Sequence, residues 1–252
     1  KIYSKKPFNA NGDFTFDRST VATRVNKDGY IETVAIDIPR LNYPFVDGVV
    51  QDDPSLLLEP AKSNVIPYSN GYTGWSATRG TLTQNSIVSP DGNTNATLFT
   101  KTEGSNEGWS SDSFTVSAVG TYTVSVFMKK GNNDFAHILF WDNSANGIRV
   151  FFNLENGSVG TNTSFGTTFT HNSSSIEDYG KGWYRCISTI TVTGSDVGWM
   201  LRLQPSGGDG NINTLSGKTF YYYGTQVEAG SYPTSYIPTS GSAVTRAAES
   251  AT

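Results

Sequence analysis

The chain has 252 residues, of which 36% are hydrophobic, 13% aromatic and 16% charged, and its formal net charge is −4. It contains no long basic run, which disfavours binding to nucleic-acid phosphates, and no stretch of about 18 apolar residues that could span a membrane. Gly, Ser, Thr and Asn abound while the helix-favouring Glu, Lys and Ala are scarce. The composition therefore predicts an all-β protein.

Residues 1–62 are expected to form an N-terminal β-rich segment. Five prolines interrupt its short apolar runs at 30–38 and 56–58. Proline beside such a run favours edge strands and turns over a central sheet. The second run, Leu56 to Leu58, is too apolar to remain in water, so we expect it to be buried and to hold the segment against the rest of the protein.

Residues 63–240 show repeated strand patterns separated by turn signals. Residues 121–128 alternate with period two, which predicts one buried and one exposed face. The inward residues would be Tyr122, Val124, Val126 and Met128. Residues 183–193 alternate in the same way and place the single cysteine, Cys186, in the core. This pattern predicts an antiparallel β-sandwich of the jelly-roll type, followed by a C-terminal tail at 241–252.

A β-hairpin is predicted from 135–141 to 148–154, with its turn at 142–147. Further strands are expected at 199–203 and 220–227. The only helical turns we expect are short ones near 173–179.

Catalytic and metal-binding patterns are almost absent. Only two histidines occur, and we expect His137 to be a structural residue in an apolar strand and His171 to be solvated in a loop. The 142–147 turn resembles the start of a calcium loop, but Asn153 stands at its twelfth position, so the hairpin interpretation is preferred. Two distant carboxylates could still meet in space. The expectation is a protein without catalysis, metal or cofactor.

The aromatic surplus suggests a sugar-binding surface, because indole faces stack on the C–H faces of sugar rings. The hairpin brings Trp141 close to Arg149, which makes this pair the first candidate carbohydrate site. Trp109 and Trp199 are further candidates. The alternative is structural: Trp141 caps the core and Arg149 lies over its ring.

The terminal motifs resemble those of phage fibre, phage tail and head-spike-fibre domain proteins. The resemblance rests on residues 16–19, 22–26, 29–32, 54–60 with Asn64, 224–228, 233–239 and 245–247. Two central motifs, at 89–92 and 182–185, resemble jelly-roll carbohydrate-binding modules of the xylanase-associated type. The resemblance implies a concanavalin-like or jelly-roll sandwich without catalysis, which decorates a virion or attaches it to a host, and by analogy a homotrimer.

Charged residues within these motifs or beside apolar runs are candidates for structural ion pairs. They are Arg24, Arg40, Glu59, Glu228 and Arg246. A planar guanidinium can form two parallel hydrogen bonds to a carboxylate, and such pairs could fix the terminal segments to the sandwich. The alternative is that these residues bind an acidic sugar.

The sequence therefore predicts a non-catalytic fibre or spike module at the virion surface or outside the cell. Its expected partners are surface polysaccharide or glycan and other virion subunits. Two alternatives stay open: a purely structural virion decoration protein, and a carbohydrate-binding module of a secreted polysaccharide-degrading protein.

Overall fold

The computed structural model describes residues 14–69, 73–116, 119–194 and 198–252. Within these ranges the chain forms strands, turns and loops, and all strand pairs are antiparallel. No helix in the described ranges is long and apolar enough to cross a membrane. The predicted all-β antiparallel fold is confirmed.

The strands follow one another along the chain in three groups. The N-terminal segment contains β1 (Phe16–Asp17), β2 (Ala22–Val25), β3 (Ile31–Val34), β4 (Arg40–Asn42), β5 (Phe45–Val46), β6 (Val49–Val50), β7 (Ser55–Leu57) and β8 (Lys62–Asn64). The middle of the chain contains β9 (Ser76–Thr78), β10 (Gly80–Thr83), β11 (Thr97–Lys101), β12 (Trp109–Thr115), β13 (Gly120–Lys130), β14 (Phe135–Trp141), β15 (Gly147–Asn153), β16 (Ser158–Phe165), β17 (Phe169–Asp178), β18 (Trp183–Val192), β19 (Gly198–Ser206) and β20 (Thr219–Ala229). The last residues contain β21 (Val244–Arg246) and β22 (Ser250–Ala251).

Two six-stranded sheets form a sandwich. The front sheet has the order β16-β15-β14-β19-β12-β9, and the back sheet has the order β10-β11-β20-β13-β18-β17. Each sheet turns one face toward the other, and alternate residues of the strands fill the space between them. The predicted inward residues of β13, Tyr122, Val124, Val126 and Met128, all belong to this main core.

The other face of the back sheet is also buried, contrary to the expected exposed face of β13. Thr123 is 1% exposed, and its hydroxyl lies 3.0 Å from that of Thr189 and donates to the Gly230 carbonyl at 2.8 Å. A second apolar cluster covers this face, where Phe127 packs with Val25 and other residues of the N-terminal segment. The sandwich therefore carries a third layer on its back.

A β-bulge interrupts the pairing of β13 with β20, and aromatic rings of β20 lie on both sides of the back sheet. The register between β13 and β20 shifts between Ser125 and Phe127, opposite Gly224, whose φ is +62°. Glycine fits here because a Cβ would lie 2.9 Å from the Phe127 ring. Tyr222 packs in the main core and its neighbour Tyr223 in the second cluster, because successive residues of a strand point to opposite faces.

The third layer consists of short two-stranded ribbons. Two of these ribbons pair an early strand with one of the last two strands. Strand β21 pairs with β8, and β22 pairs with β1, so residues of the expected C-terminal tail are built into the N-terminal segment. The leucines do not hold this layer in place: Leu56 and Leu58 are 39% and 48% exposed. The expectation that they are buried is wrong.

Buried ion pairs hold the layer instead, in a group that we call the terminal ion cluster: Arg18, Arg40, Glu59, Arg246 and Glu249. Glu59 forms ion pairs with Arg40 at 2.9 Å and with Arg246 at 2.6 Å. Glu249 pairs with Arg18 at 2.7 Å and with Arg40. The three arginine side chains and Glu249 are at most 1% exposed, so the N-terminal and C-terminal segments share one desolvated charge network.

Two other predicted ion-pair residues, Arg24 and Glu228, lie outside the terminal ion cluster. Arg24 pairs with Glu32 at 2.7 Å in a partly exposed position, within the β2–β3 ribbon. Glu228 is buried but forms no ion pair within the described ranges. Its carboxylate accepts hydrogen bonds from the Thr234 backbone at 2.9 Å and from Gln226 at 2.6 Å. Neutral donors therefore satisfy Glu228 without an arginine.

The short helical turns expected near residues 173–179 do not occur. Residues 169–178 form β17, the edge strand of the back sheet, with a register shift between His171 and Ser173. Many of its side chains face solvent, so the apolar alternation that marks a strand is weak, although the backbone pairs with β18 along its length.

Candidate functional site

The outer face of the front sheet carries a row of residues across four strands. Leu139 on β14 lies between Arg149 on β15 and Arg202 on β19, and Arg202 is opposite Ser111 on β12. Neighbouring strands lie about 4.8 Å apart, so the two arginine backbones are about 10 Å apart. Both point to the same side because residues in register share a face. Two cations therefore flank one apolar residue.

The Arg202 guanidinium is enclosed by two indole rings. Its central carbon lies 4.0 Å from the centre of the Trp109 ring and 3.9 Å from that of Trp141. The tryptophans reach it diagonally, from the strands on either side of β19. These cation–π contacts fix the guanidinium plane. A sugar ring cannot lie between the two indoles and would have to contact them from the cavity side.

Arg149 is held by a second aromatic ring and is only weakly paired. Its guanidinium carbon lies 4.8 Å from the centre of the Phe165 ring. Its nearest carboxylate oxygen, on Glu107, is 3.6 Å away, beyond hydrogen-bonding distance. Its Nε is buried without a hydrogen-bond partner. The side chain is therefore positioned but not saturated.

These side chains surround an open cavity of about 460 Å³, which we call the front cavity. It is lined by Arg79, Asn106, Glu107, Trp109, Leu139, Trp141, Arg149, Phe165, Arg202 and Asn213. The volume lies within the range of about 300–1,000 Å³ that is common for small-ligand sites. Aromatic surfaces with a few oriented polar groups are the usual lining of such sites.

The electrostatics of the front cavity are positive although the whole chain is acidic. Three guanidinium groups and one carboxylate line it, an excess of two positive charges, against a net charge of −4 for the chain. Burial lowers the pKa of Arg202 to about 10, the charge of Glu107 opposes this, and the charge of Arg149 adds to it. Arg202 thus stays charged at neutral pH but is poorly solvated.

Next to the front cavity lies a buried polar layer on the same face of the sheet. His137 is fully buried, its Nδ1 lies 2.6 Å from the Ser206 hydroxyl, and its ring stacks on Phe151. The His137 Nε2 and both amide atoms of Gln204 have no hydrogen-bond partner. Burial lowers the pKa of His137 to about 3, helped by the charge of Arg149, so the ring is neutral at pH 7.

The structure brings three of the four sequence-predicted carbohydrate residues together. Trp141, Arg149 and Trp109 line the front cavity. Trp199 does not: it is 1% exposed and packs edge-on against Phe140 in the main core. An indole enclosed on all sides cannot stack on a sugar, so Trp199 is removed from the candidate site.

The alternative that Arg149 lies over the Trp141 ring is correct about the cation–π contact but names the wrong arginine. A guanidinium does lie over Trp141, but it belongs to Arg202, while Arg149 lies over Phe165. Sequence reasoning missed Arg202 and Glu107. A signal for Arg202 was available: Leu201 and Leu203 on either side of it face the core, so Arg202 must face outward. Glu107 precedes β12 in a loop and gives no comparable signal.

A larger cavity, of about 680 Å³, lies between the N-terminal segment and the back sheet. Its charged groups are mostly engaged with one another or with the backbone. Glu59 belongs to the terminal ion cluster, Arg24 pairs with Glu32, and Arg185 donates to Ser125 at 3.0 Å and to the Thr234 carbonyl at 2.7 Å. Because so much of its polar lining is already satisfied, we favour the smaller front cavity as the ligand site.

Metal-ligand clusters are absent from the described residues. No group of three or more His, Cys, Asp or Glu side chains within these ranges could hold a metal ion. Asp142 instead organises the β14–β15 turn, accepting backbone hydrogen bonds from Ser144 at 2.9 Å and Asn146 at 3.1 Å. His171, expected in a loop, lies on edge strand β17 with its Nε2 2.7 Å from the Ser174 hydroxyl, and borders none of the cavities described above.

Comparison with known proteins finds similarity in solved structures only; no family model and no curated protein matches. The chain is similar to TmCBM61 in complex with β-1,4-galactotriose, at 11% identity and a TM-score of 0.40, over 66% of this chain and 99% of that one. It is also similar to the C-terminal CBM6 of LamC, a marine laminarinase from Zobellia galactanivorans, at 10% identity and a TM-score of 0.33, over 67% and 99% of the two chains.

A third structure, of a carbohydrate-binding module from the β-sandwich superfamily, has 11% identity and a TM-score of 0.36, over 85% of this chain and 96% of the other. None of these comparisons supports a phage fibre family. At TM-scores of 0.40 or lower, the likeness transfers neither a site nor a ligand to this chain.

Proposed function

We propose that this protein is a non-catalytic carbohydrate-binding module and that the front cavity is its sugar site. One observation carries the proposal: an open cavity on a sheet face in which two indoles hold a guanidinium whose terminal nitrogens have no protein hydrogen-bond partner in the described chain. Aromatic rings suit the apolar faces of sugars, and a fixed guanidinium fork suits their oxygen atoms.

The lack of a suitable acid pair favours binding over hydrolysis. Glycoside hydrolysis generally uses two carboxyl groups that flank the scissile bond. Among the described residues that line the front cavity, Glu107 supplies the single carboxylate. The adjacent His137 is buried and neutral, so it is not placed to transfer a proton to a bound sugar.

Binding is tested with a broad panel of neutral and acidic polysaccharides, by affinity electrophoresis followed by calorimetry on the strongest ligand. Trp141→Ala and Trp109→Ala should each weaken binding by about ten-fold or more, because each removes an indole surface and releases Arg202. Tyr232→Ala is the matched control, since Tyr232 is an aromatic residue that is 51% exposed and lies outside the front cavity.

The two tryptophan variants must keep a cooperative thermal transition for the result to count as loss of a site. No binding to any member of the panel, or equal binding by the wild type and both variants, would contradict the proposal. Release of reducing ends from a polysaccharide that binds would contradict its non-catalytic part.

The place of the module in a larger assembly is a separate proposal. The motifs that resemble phage fibre proteins contain three members of the terminal ion cluster, Arg18, Glu59 and Arg246, so these charged residues have a structural use in any setting. We propose that the chain is a carbohydrate-binding module of a polysaccharide-degrading protein, and we prefer this setting to that of a virion fibre. Genes that flank this one and encode polysaccharide-degrading enzymes would support this order, and flanking virion genes would reverse it.

A further inference from the structure

We infer that the front cavity recognises an anionic sugar, through a carboxylate or sulfate group placed between Arg149 and Arg202. This inference rests on the proposed function and adds the chemical class of the ligand. Its basis is the positive charge that the front cavity leaves without a counterpart.

The two arginines lack the close carboxylate partners that Arg18, Arg40 and Arg246 have. Glu107 is the one carboxylate lining this cavity among the described residues, and it approaches Arg149 no closer than 3.6 Å. No ion pair engages Arg202 within the described ranges; its Nε contacts the Met200 sulfur at 3.4 Å, and sulfur is a weak acceptor. Like charges held close together are unfavourable unless an anion lies between them.

The geometry also suits an anion better than a neutral hydroxyl. The ring contacts fix both guanidinium groups, so their donors are oriented before a ligand arrives. Partial burial leaves the Arg202 charge poorly solvated, which strengthens its attraction for an anion that displaces the remaining water. Charge-assisted hydrogen bonds between guanidinium and carboxylate are about twice as strong as neutral ones.

The test compares neutral and acidic polymers that share a sugar backbone. Three pairs serve: methyl-esterified polygalacturonate with polygalacturonate, β-1,4-mannan with polymannuronate, and dextran with dextran sulfate. We expect the acidic member of at least one pair to bind roughly ten-fold or more tightly than its neutral partner, and the third pair to distinguish sulfate from carboxylate.

Two substitutions assign the preference to the cavity. Arg202→Gln and Arg149→Gln should each abolish most of the acidic preference, and Arg202→Lys should restore little of it, because lysine keeps the charge but loses the fork and the stacking. Arg24→Gln is the control for the loss of one positive charge, since Arg24 is 27% exposed and lies in the N-terminal segment. It should leave the preference unchanged.

The outcomes separate this inference from the proposed function. Neutral members that bind as tightly as acidic ones, with loss in Trp141→Ala, would overturn the inference and leave the proposed function standing. An acidic preference that survives Arg202→Gln and Arg149→Gln, or that falls equally in Arg24→Gln, would also overturn it. Absence of binding to every polymer would overturn both.

Discussion

The two outer faces of the sandwich use arginine in opposite ways. Behind the back sheet, Arg40 contacts the carboxylates of both Glu59 and Glu249 and is completely buried. In front of the front sheet, Arg202 is held by two indoles and has no carboxylate within ion-pairing distance in the described chain. Protein carboxylates satisfy a paired and buried arginine, whose loss of a partner is costly, whereas a fixed and unpaired arginine leaves charge available for a ligand.

The largest expected effect is on the terminal ion cluster. Glu249→Gln removes the negative charge between Arg18 and Arg40 and leaves buried cations uncompensated, which should cost about 3–5 kcal/mol of unfolding free energy. Glu32→Gln breaks the partly exposed pair with Arg24 and should cost about 1 kcal/mol or less. Urea unfolding of both variants measures the difference. Equal losses would show that the cluster is no more important than a surface pair.

The covered face of the back sheet gives the next effect. Thr123→Asp places a carboxylate in a buried site whose hydroxyl partners are Thr189 and Gly230, and should cost about 3 kcal/mol or more. Thr81→Asp, on exposed edge strand β10, should change the free energy of unfolding by about 0.5 kcal/mol or less. A tolerant Thr123→Asp variant would mean that the third layer does not seal this face.

Acid should weaken the terminal ion cluster progressively. Burial raises the pKa of Glu249, but hydrogen bonds and charge from Arg40 and Arg18 outweigh it and leave the pKa below its ordinary value of 4.5. Because the folded pKa is depressed, the stabilisation is present above that ordinary value and is lost as pH falls through the folded pKa.

Urea unfolding from about pH 6 to about pH 3 measures this contribution. The wild type should lose more stability than Glu249→Gln over that range. Parallel curves for the two proteins would show that Glu249 does not contribute to the pH dependence.

The smallest effect is expected at the front cavity. Arg202→Gln removes two cation–π contacts but also removes a desolvated charge close to Arg149, so the two effects largely offset each other. The unfolding free energy should change by about 1 kcal/mol or less. A loss as large as that of Glu249→Gln would make Arg202 a structural residue like Arg40 and remove the contrast between the two faces.

Local pattern was enough to predict the sandwich. The alternation in β13 and the Asn-Gly turn after Trp141 are signals within ten or so residues, and both elements form where expected. The burial of Thr123 was not predictable in this way, because it depends on contact with Gly230, which lies 107 residues further along the chain. The same holds for β17, whose strand conformation comes from pairing with β18.

The candidate site was predictable only in part for the same reason. The hairpin fixes Trp141 next to Arg149 in register, so a local turn reveals two of its residues. Arg202 arrives from a strand about sixty residues further on, and Glu107 from a loop before β12. Their meeting follows from the order of strands in the front sheet, which sequence periodicity does not specify.

The indole N–H signals of the five tryptophans in an NMR spectrum can locate the ligand on the molecule. Oligogalacturonate and oligomannuronate are titrated into the protein, with each signal assigned by a tryptophan-to-phenylalanine variant. The signals of Trp109 and Trp141 should shift, because these indoles border the front cavity, while those of the buried Trp75, Trp183 and Trp199 should stay in place. Shifts confined to the buried tryptophans, or no shift in any of the five, would contradict an acidic-sugar site at the front cavity.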